Sequence, residues 1–557
     1  MVGISKTYID EVVDGKGVLQ EISFKNAENF NFAYDIVDVM AERDPDKMCM
    51  LWVDPSRNER RFTFKEISDY STKTANYFMD LGIKKGDRVM LVLKRHYQFW
   101  FSILALHKIG AVVIPATHQL KEEDLAYRFE SGKINGIVCT CQDDIGEEVD
   151  KAIAHNNLEM VRCMTGTPRE GWRDFDADIE TYPATMERVA TTGSDPMLMF
   201  FTSGTTGYPK IVVHDFTYPL GHYITAKYWH HVNPDGIHFT LSDTGWGKAL
   251  WGKLYGQWMC ETAVFVYDMD TFVPHDFLSL FSEYPITTFC APATAYRVFA
   301  KKDLAKYGIS KLEHVTTAGE AISPEIWKQF YDKTGLKIME GFGQTETTLT
   351  LCNLYGTDPK PGSMGKPSPM YHIDLVDEDG NPVADEVTGE VVVRVDKEIP
   401  FGLFVDYFGG TGRKEDVLYD GMYHSGDTAY RDKDGFFWFV GRNDDLIKST
   451  GYRVGPSEVE AILMELPFIM ECAVIGIPDP RRGQRVMTFV VLTEEAAGDL
   501  EAGKVGEREI KADIMHHCKN NMANYKCPRK LQFMEELPKT ISGKVRRSEL
   551  RKLVGLR

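Results

Sequence analysis

The 557-residue chain has no long apolar run, no excess of positive charge and no paired pattern in its cysteines. The ten cysteines are scattered, only Cys139 and Cys141 lie close together, and no C-x-x-C or Cys/His zinc spacing occurs. A disulfide framework and a zinc module are therefore excluded, and a reducing, cytoplasmic setting is expected. The first fifteen residues carry Asp10, Glu11 and Asp14 where a signal peptide would carry an apolar stretch. The most apolar later stretch, Trp100 to Ala116, is interrupted by His107 and Lys108. Neither a secretory leader nor a membrane span is expected. Acidic residues outnumber basic ones, 82 to 64, for a net charge of −18, which excludes a nucleic-acid binder built on a broadly basic surface.

Apolar residue types make up 43% of the chain against 26% charged, enough to bury large cores, and the length allows about three to five compact units. Charge is uneven. From Asp445 to the C-terminus there are 19 Lys and Arg against 16 Asp and Glu, whereas the remainder has 45 against 66. A basic end on an acidic body is either a solvated face or a surface that meets a polyphosphate.

Thr63 and Glu66 form a capping box, and Ile67, Tyr70, Thr74, Tyr77, Phe78 and Leu81 follow at helical spacing until Gly82. The apolar run Val89 to Leu93, a helical stretch from Phe99 to His107 and a second run from Ala111 to Ile114 give strand, helix, strand, the signature of a parallel α/β layer. The same alternation recurs at Ile137–Cys139, Met197–Phe201, Ala263–Val266, Thr287–Phe289 and His314–Thr316. Between Ile373 and Val395, strands broken by the turn cluster Asp377 to Pro382 suggest a β-rich subdomain. After the polar stretch Gly441 to Asp445 come helix Ser457–Leu466, strands Cys472–Ile477 and Met487–Leu492, helix Ile510–Met522 and strand Leu531–Met534, an α+β unit of about 110 residues. The expected architecture is α/β: a large N-terminal body, residues 1–443, and a small mobile lid, residues 444–557.

The strongest chemical signal is Thr202-Ser203-Gly204-Thr205-Thr206-Gly207-Tyr208-Pro209-Lys210, directly after an apolar run. Its glycines let backbone N–H groups approach a ligand, its hydroxyls add donors and Lys210 adds a cation, a composition suited to phosphate oxygens. It lacks the spacing G-x-x-x-x-G-K-[ST], so the common nucleotide-triphosphatase loop is excluded. Gly341 to Thr347 places Glu346 among small and polar side chains, where a carboxylate could hold Mg²⁺ and Phe342 could stack on a base, although an aromatic beside glycine is more often a core residue. His424-Ser425-Gly426-Asp427 offers a carboxylate to ribose hydroxyls or is a plain turn, and Lys544, on the loop Pro538 to Lys544, is either solvated or delivered to a phosphoryl group.

In this order, these segments together with Ala318-Gly319-Glu320, Gly441 to Pro456 and Ser542-Gly543-Lys544 resemble the adenylate-forming superfamily of acyl-CoA synthetases, firefly luciferase and peptide-synthetase adenylation domains. The resemblance spans roughly residues 30 to 550. Ser242 to Trp246, Gly476 to Asp479 and Tyr525 to Arg529 look like the medium-chain acyl-CoA synthetase branch, and Trp246 to Trp251 with Gly252 to Gly256 is similar to archaeal and bacterial members using short branched acids. The resemblance implies an acyl-adenylate made from ATP and a short or medium, branched or aromatic, carboxylic acid, then thioester formation with CoA.

It also implies residue roles. Lys544, Glu346 and Thr202 would be catalytic, with Glu346 on Mg²⁺. Thr202, Ser203, Gly204, Thr205, Thr206, Gly207, Lys210, Gly319, Glu320, Ala321, Phe342, Gly343, Gln344, Thr345, Asp427, Arg442 and Arg453 would bind the nucleotide. Asp444 would be the hinge. Trp246, Lys248, Trp251, Cys290 and Gly343 would line the acyl pocket; Thr450, Gly451, Tyr452, Arg482, Lys519, Cys527, Pro528 and Arg529 would meet CoA. The chain departs from the usual pattern at Phe342, where tyrosine or tryptophan is common; stacking survives and a phenolic hydrogen bond does not. An adenylation module that loads a carrier protein is the alternative, disfavoured by the basic C-terminal piece, and a non-catalytic binder is disfavoured by the presence of Lys210, Glu346 and Lys544.

Overall fold

A computed structural model describes residues 3–202, 208–449, 452–540 and 544–556, without the Arg453 side chain. Of the residues expected to bind ligands, Ser203 to Gly207, Thr450 and Gly451, with the Arg453 side chain, lie outside that description. The chain divides into two compact units: one formed by residues up to Thr202, Tyr208–His372 and Val395–Gly421, the other containing Ile373–Arg394 and Met422 onward.

The first unit holds two large sheets. One has eight strands, in the order Asp406–Tyr407, Lys210–Asp215, Pro196–Thr202, Val112–Pro115, Arg88–Val92, Gly136–Thr140, Val161–Thr165 and Arg173–Asp174. Arg88–Val92 runs parallel to both Val112–Pro115 and Gly136–Thr140, as the strand, helix, strand pattern requires. Period-two alternation feeds two cores: Val89 and Leu91 point to one cluster, Met90 and Val92 to another. The expected capping box is present. Thr63 Oγ1 accepts from Glu66 N–H, the Glu66 carboxylate accepts from Thr63 N–H, and the helix runs Phe64–Asp80.

The second sheet has nine strands. Six of them, Ile338–Phe342, His314–Ala318, Thr288–Cys290, Ile237–Thr240, Ala263–Tyr267 and Met48–Val53, are mutually parallel neighbours in that order. Residues from both sheets meet in one core around helix Gln98–Ile109, all of whose residues are buried. This is the stretch His107 and Lys108 interrupt. Lys108 Nζ is satisfied inside by Asp38 at 2.8 Å and Thr72 at 2.7 Å, the pairing that a buried ammonium needs. Among the described residues no helix is long and apolar enough to cross a membrane.

In the second unit, antiparallel strands Ile373–Val376, Gly389–Arg394, Met422–Arg431 and Phe437–Arg442 are successive neighbours. The expected turn is there, with Asp377 N–H donating to the Asn381 carbonyl. A five-stranded sheet follows, centred on the long pair Ile469–Asp479 and Gly483–Leu492. Its faces alternate: Val474, Val486 and Val490 pack with helices Pro456–Leu463 and Glu507–Asn521, while Ile475, Met487 and Phe489 pack with Leu537 and Leu550. Helices Glu494–Glu501 and Arg547–Leu553 were not expected from the sequence.

Candidate active site

Four of the singled-out segments begin where parallel strands of the nine-stranded sheet end. Cys290 closes Thr288–Cys290, Gly319 to Ala321 follows His314–Ala318, Phe342 closes Ile338–Phe342 ahead of Gly343 to Glu346, and Ser242 to Trp246 follows Ile237–Thr240. Parallel strands share one carboxyl edge, so the sheet itself collects these segments; this is the edge at which open α/β sheets bind ligands. Gly319, Glu320 and Ala321 are exposed there, and Gly319 has φ +97°, a conformation open to glycine.

The segment on either side of the hydroxyl-rich stretch is a pair of antiparallel strands, with Thr202 and Lys210 as register partners, where a Walker loop would lead from a strand into a helix. The Lys210 side is held by Tyr127, which stacks on Tyr208 at 4.5 Å and donates to the Pro209 carbonyl at 2.8 Å. Lys210 Nζ lies 4.9 Å from the centre of the Tyr407 ring, and the Tyr407 hydroxyl donates to Glu346 Oε1 at 3.0 Å. Glu346 is half-buried. Among the described residues no three His, Cys, Asp or Glu side chains cluster as a metal nest. That donor set fits Mg²⁺ held by one protein carboxylate and the oxygens of a phosphate ligand and water.

Thr345 offers its carbonyl to His214 Nε2 at 2.7 Å, and Gln344 N–H donates to Thr347 Oγ1 at 2.9 Å, which fixes the course of the loop after Phe342. Burial pushes the His214 imidazole down to about 4, against the opposing pull of that carbonyl. Glu340, not singled out from the sequence, is buried behind the loop. Burial pushes its carboxyl up to about 8, against N–H donors of Ile322 and Gly362 at 3.2 and 2.7 Å.

The expected acyl residues group around helix Gly247–Lys253. Lys248 Nζ donates to the Ala318 carbonyl at 2.9 Å, linking this helix to the strand before Gly319. Trp251 Nε1 donates to the Tyr218 hydroxyl at 3.2 Å. A Cβ on Gly343 would lie 2.6 Å from Trp251 Cη2 and 2.2 Å from the Thr348 carbonyl oxygen, so the indole reaches a backbone that only glycine can present. Trp246 precedes the helix, half-buried, and Cys290 is wholly buried in the shared core.

In the second unit, Asp427 and Arg442 are cross-strand partners, with Oδ1 and Nη1 3.6 Å apart, and Arg442 Nε lies 3.6 Å from Asp444 Oδ1. The next residue, Asp445, is held by Arg551 at 2.5 Å and Arg547 at 3.6 Å, both on the C-terminal helix. Lys544 is exposed; its N–H donates to Thr540 Oγ1 at 3.1 Å. Of the expected CoA residues, Tyr452 is exposed and stacks on Tyr525 at 4.2 Å, Arg482 N–H caps back onto Asp479, and Lys519 and Arg529 are exposed. Cys527 and Pro528 are buried, Cys527 within the apolar core, so these side chains face inward.

Sequence reasoning missed Tyr407, Tyr218, His214 and Glu340. Tyr407 sits in a two-residue strand, too short for any periodic signal. Glu340 alone carried one, a carboxylate inside an otherwise apolar buried strand.

Residues 37–397 match the family described as AMP-binding enzyme, and residues 458–544 match the AMP-binding enzyme C-terminal domain. The chain is 38% identical to acyl-coenzyme A synthetase ACSM3, mitochondrial, of Homo sapiens, over 96% of this chain and 91% of that protein. It is 36% identical to acyl-coenzyme A synthetase ACSM4, mitochondrial, of Mus musculus, over 94% and 90%. The crystal structure of the anthranilate CoA ligase AuaEII with anthranoyl-AMP superposes with a TM-score of 0.84 at 27% identity, covering 94% of this chain and 97% of that one.

Proposed function

Because the chain belongs to the AMP-binding enzymes, and within them to the medium-chain acyl-CoA synthetase branch, we infer that it is an AMP-forming acyl-CoA ligase. A carboxylate oxygen of the acid attacks the α-phosphorus of ATP, releasing pyrophosphate and leaving an acyl-adenylate; the CoA thiol then attacks the acyl carbon and AMP leaves. ATP, Mg²⁺ and CoA are its small-molecule requirements. The observation that carries this function is the gathering of the Gly319, Phe342 to Glu346 and Trp246 to Trp251 segments at one carboxyl edge of one sheet.

That arrangement supports the roles proposed for residues of the first unit, and the motif resemblance carries those of Asp427, Arg442 and Lys544. Thr202 and Lys210, register partners on the paired strands, would meet the phosphates. Glu346 would hold Mg²⁺, which supplies charge neutralisation for the phosphates. Phe342 and the Gly319 to Ala321 loop would hold the adenine, Asp427 and Arg442 the ribose, and Trp251 with Gly343 would bound the acid. Lys544 would bring its charge to the α-phosphate in the first step. Residues 444–557 would turn as a lid about Asp444 between the steps. The pairing of Asp445 with Arg547 and Arg551 ties Asp445 to the C-terminal helix, and Arg551 also donates to the Asp444 carbonyl at 3.4 Å, so a turn about Asp444 would have to release that last contact.

For the compartment we keep the cytoplasm, on the scattered unpaired cysteines; the mammalian relatives named above are mitochondrial, and fractionation of the source cells separates the two. The function is tested by CoA-dependent AMP release across straight, branched and aromatic acids. Adenylation that proceeds but never passes its acyl group to CoA would instead make the chain a loader of some other thiol.

A further inference from the structure

Beside Trp251 lies a buried run of alternating imidazole and phenol rings: His107, Tyr255, His222, Tyr218 and His214. Successive ring centres are 5.9, 6.2, 4.6 and 4.1 Å apart, and every member is at most 1% exposed. Trp251 joins the run from the side, through its hydrogen bond to Tyr218 and a 5.6 Å approach to the His222 ring. A site built only for an aliphatic tail would place leucine, phenylalanine or methionine here, because a buried polar atom without a partner is costly.

Among the described residues, three ring nitrogens of the run lack such a partner: His107 Nδ1 at the far end, whose other nitrogen meets the Tyr255 hydroxyl at 2.9 Å, and, on either side of Tyr218, His214 Nδ1 and His222 Nε2. The Thr345 carbonyl can only accept, so His214 Nε2 carries the proton and Nδ1 is a bare acceptor. Among the described residues nothing donates to that Nδ1, and His222 Nε2 likewise has no partner, its other nitrogen lying 3.3 Å from Thr225 Oγ1. Interiors pair the large majority of such atoms. These two flank the same ring, Tyr218, beside the residues that bound the acid.

We propose that the acid activated by this chain carries a second hydrogen-bonding group, a hydroxyl or amino substituent remote from the carboxylate, which His214 Nδ1 and His222 Nε2 receive. The proposal rests on the ligase function above and on Trp251 and Gly343 bounding the acyl site. An O–H or N–H on the acid supplies the donor that His214 Nδ1 lacks, and the His222 ring takes whichever tautomer its own partner sets. A site of this kind selects strongly, because the unsubstituted analogue leaves both nitrogens unpaired, whereas a purely apolar pocket separates acids only by their methylenes.

The test is AMP release with CoA from acids matched in shape: benzoate against its amino and hydroxy isomers, and hexanoate against hydroxyhexanoates. At least one substituted isomer is expected to exceed its parent in kcat/KM by about 100-fold or more. His222→Phe should cut that ratio below about tenfold, and His222→Gln, which keeps an amide near Nε2, should restore part of it. Parent acids that equal or beat every isomer overturn the proposal and leave the ligase function standing; internal water satisfying both nitrogens would give that result. A ratio unchanged in a folded His222→Phe overturns it as well. If neither variant folds, the wild-type panel alone decides. AMP release from no acid removes the ligase function and the proposal together.

Discussion

The Tyr407 hydroxyl donates to Glu346 Oε1 across 3.0 Å, while Lys210 Nζ stands 4.9 Å from the centre of the same ring. One phenol thus ties the carboxylate expected to face Mg²⁺ to the cation at the end of the hydroxyl-rich stretch. Removing the hydroxyl while keeping the ring leaves the lysine contact in place and frees the carboxylate to turn. Tyr407→Phe should therefore raise the Mg²⁺ concentration needed for half-maximal ATP–pyrophosphate exchange by about tenfold, the usual effect of losing a group that orients a metal ligand. An unshifted Mg²⁺ titration would show that Glu346 needs no such support.

Lys544 tests the division of the reaction. On the role proposed for it, its charge acts only in the step in which the α-phosphate is attacked, so Lys544→Ala should abolish adenylate formation, measured by pyrophosphate exchange, and spare thioester formation from supplied acyl-adenylate. Exchange that persists, or loss of both half-reactions together, removes Lys544 from the adenylation step. The exposed position of Lys544 lets stability stay unchanged, so a lowered Tm would point to a different cause.

Local signals carried the elements and stopped at their assembly. The helix Phe64–Asp80 was legible because its capping box lies within four residues, and the central strands because their apolar runs are continuous where both faces are covered. Which strands share a carboxyl edge was not legible, since Ile237–Thr240 pairs with Ala263–Tyr267 and Thr288–Cys290 through crossovers that leave no mark in the sequence. The same holds for Tyr407 with Glu346, 61 residues apart, and Trp251 with Tyr218, 33 apart. Helix Arg547–Leu553 was hidden in a basic run because Leu550 is its one buried side chain.

Buried histidines set an acid limit on stability. Burial pushes His107 and His238 down to about 3, and His214 and His314 down to about 4. An unfolded imidazole titrates near its ordinary value of about 6.5, so between that value and about 4 the unfolded chain binds protons that the folded chain does not. The histidine contribution is therefore complete above about pH 6.5 and is lost as the pH drops through this window, while the single Glu340 carboxyl, raised to about 8, works in the opposite sense and offsets only part of the loss from four imidazoles. Urea midpoints at pH 7.5, 6 and 5 should decline steadily, with the loss beginning above the range in which ordinary carboxylates protonate. A midpoint constant from pH 7.5 to 5 would mean that these rings gain protons in place.

Trp251 decides what sets acid length. Its indole is half-buried, anchored by Tyr218 at one end and meeting the Gly343 backbone at the other, the placement of a wall rather than of a residue surrounded on all sides. Trp251→Gly should open room for several methylenes, each worth about 0.8 kcal/mol if the new space stays dry, and so move the kcat/KM optimum to longer acids. Ordinary core packing predicts something else: a loss of about 3 to 5 kcal/mol in stability with the length preference unmoved. Measuring kcat/KM across acids of increasing length together with the Tm separates the two outcomes. A destabilised variant with the wild-type optimum would take Trp251 out of the acyl wall. A shifted optimum in a stable variant would place the indole directly against the acid.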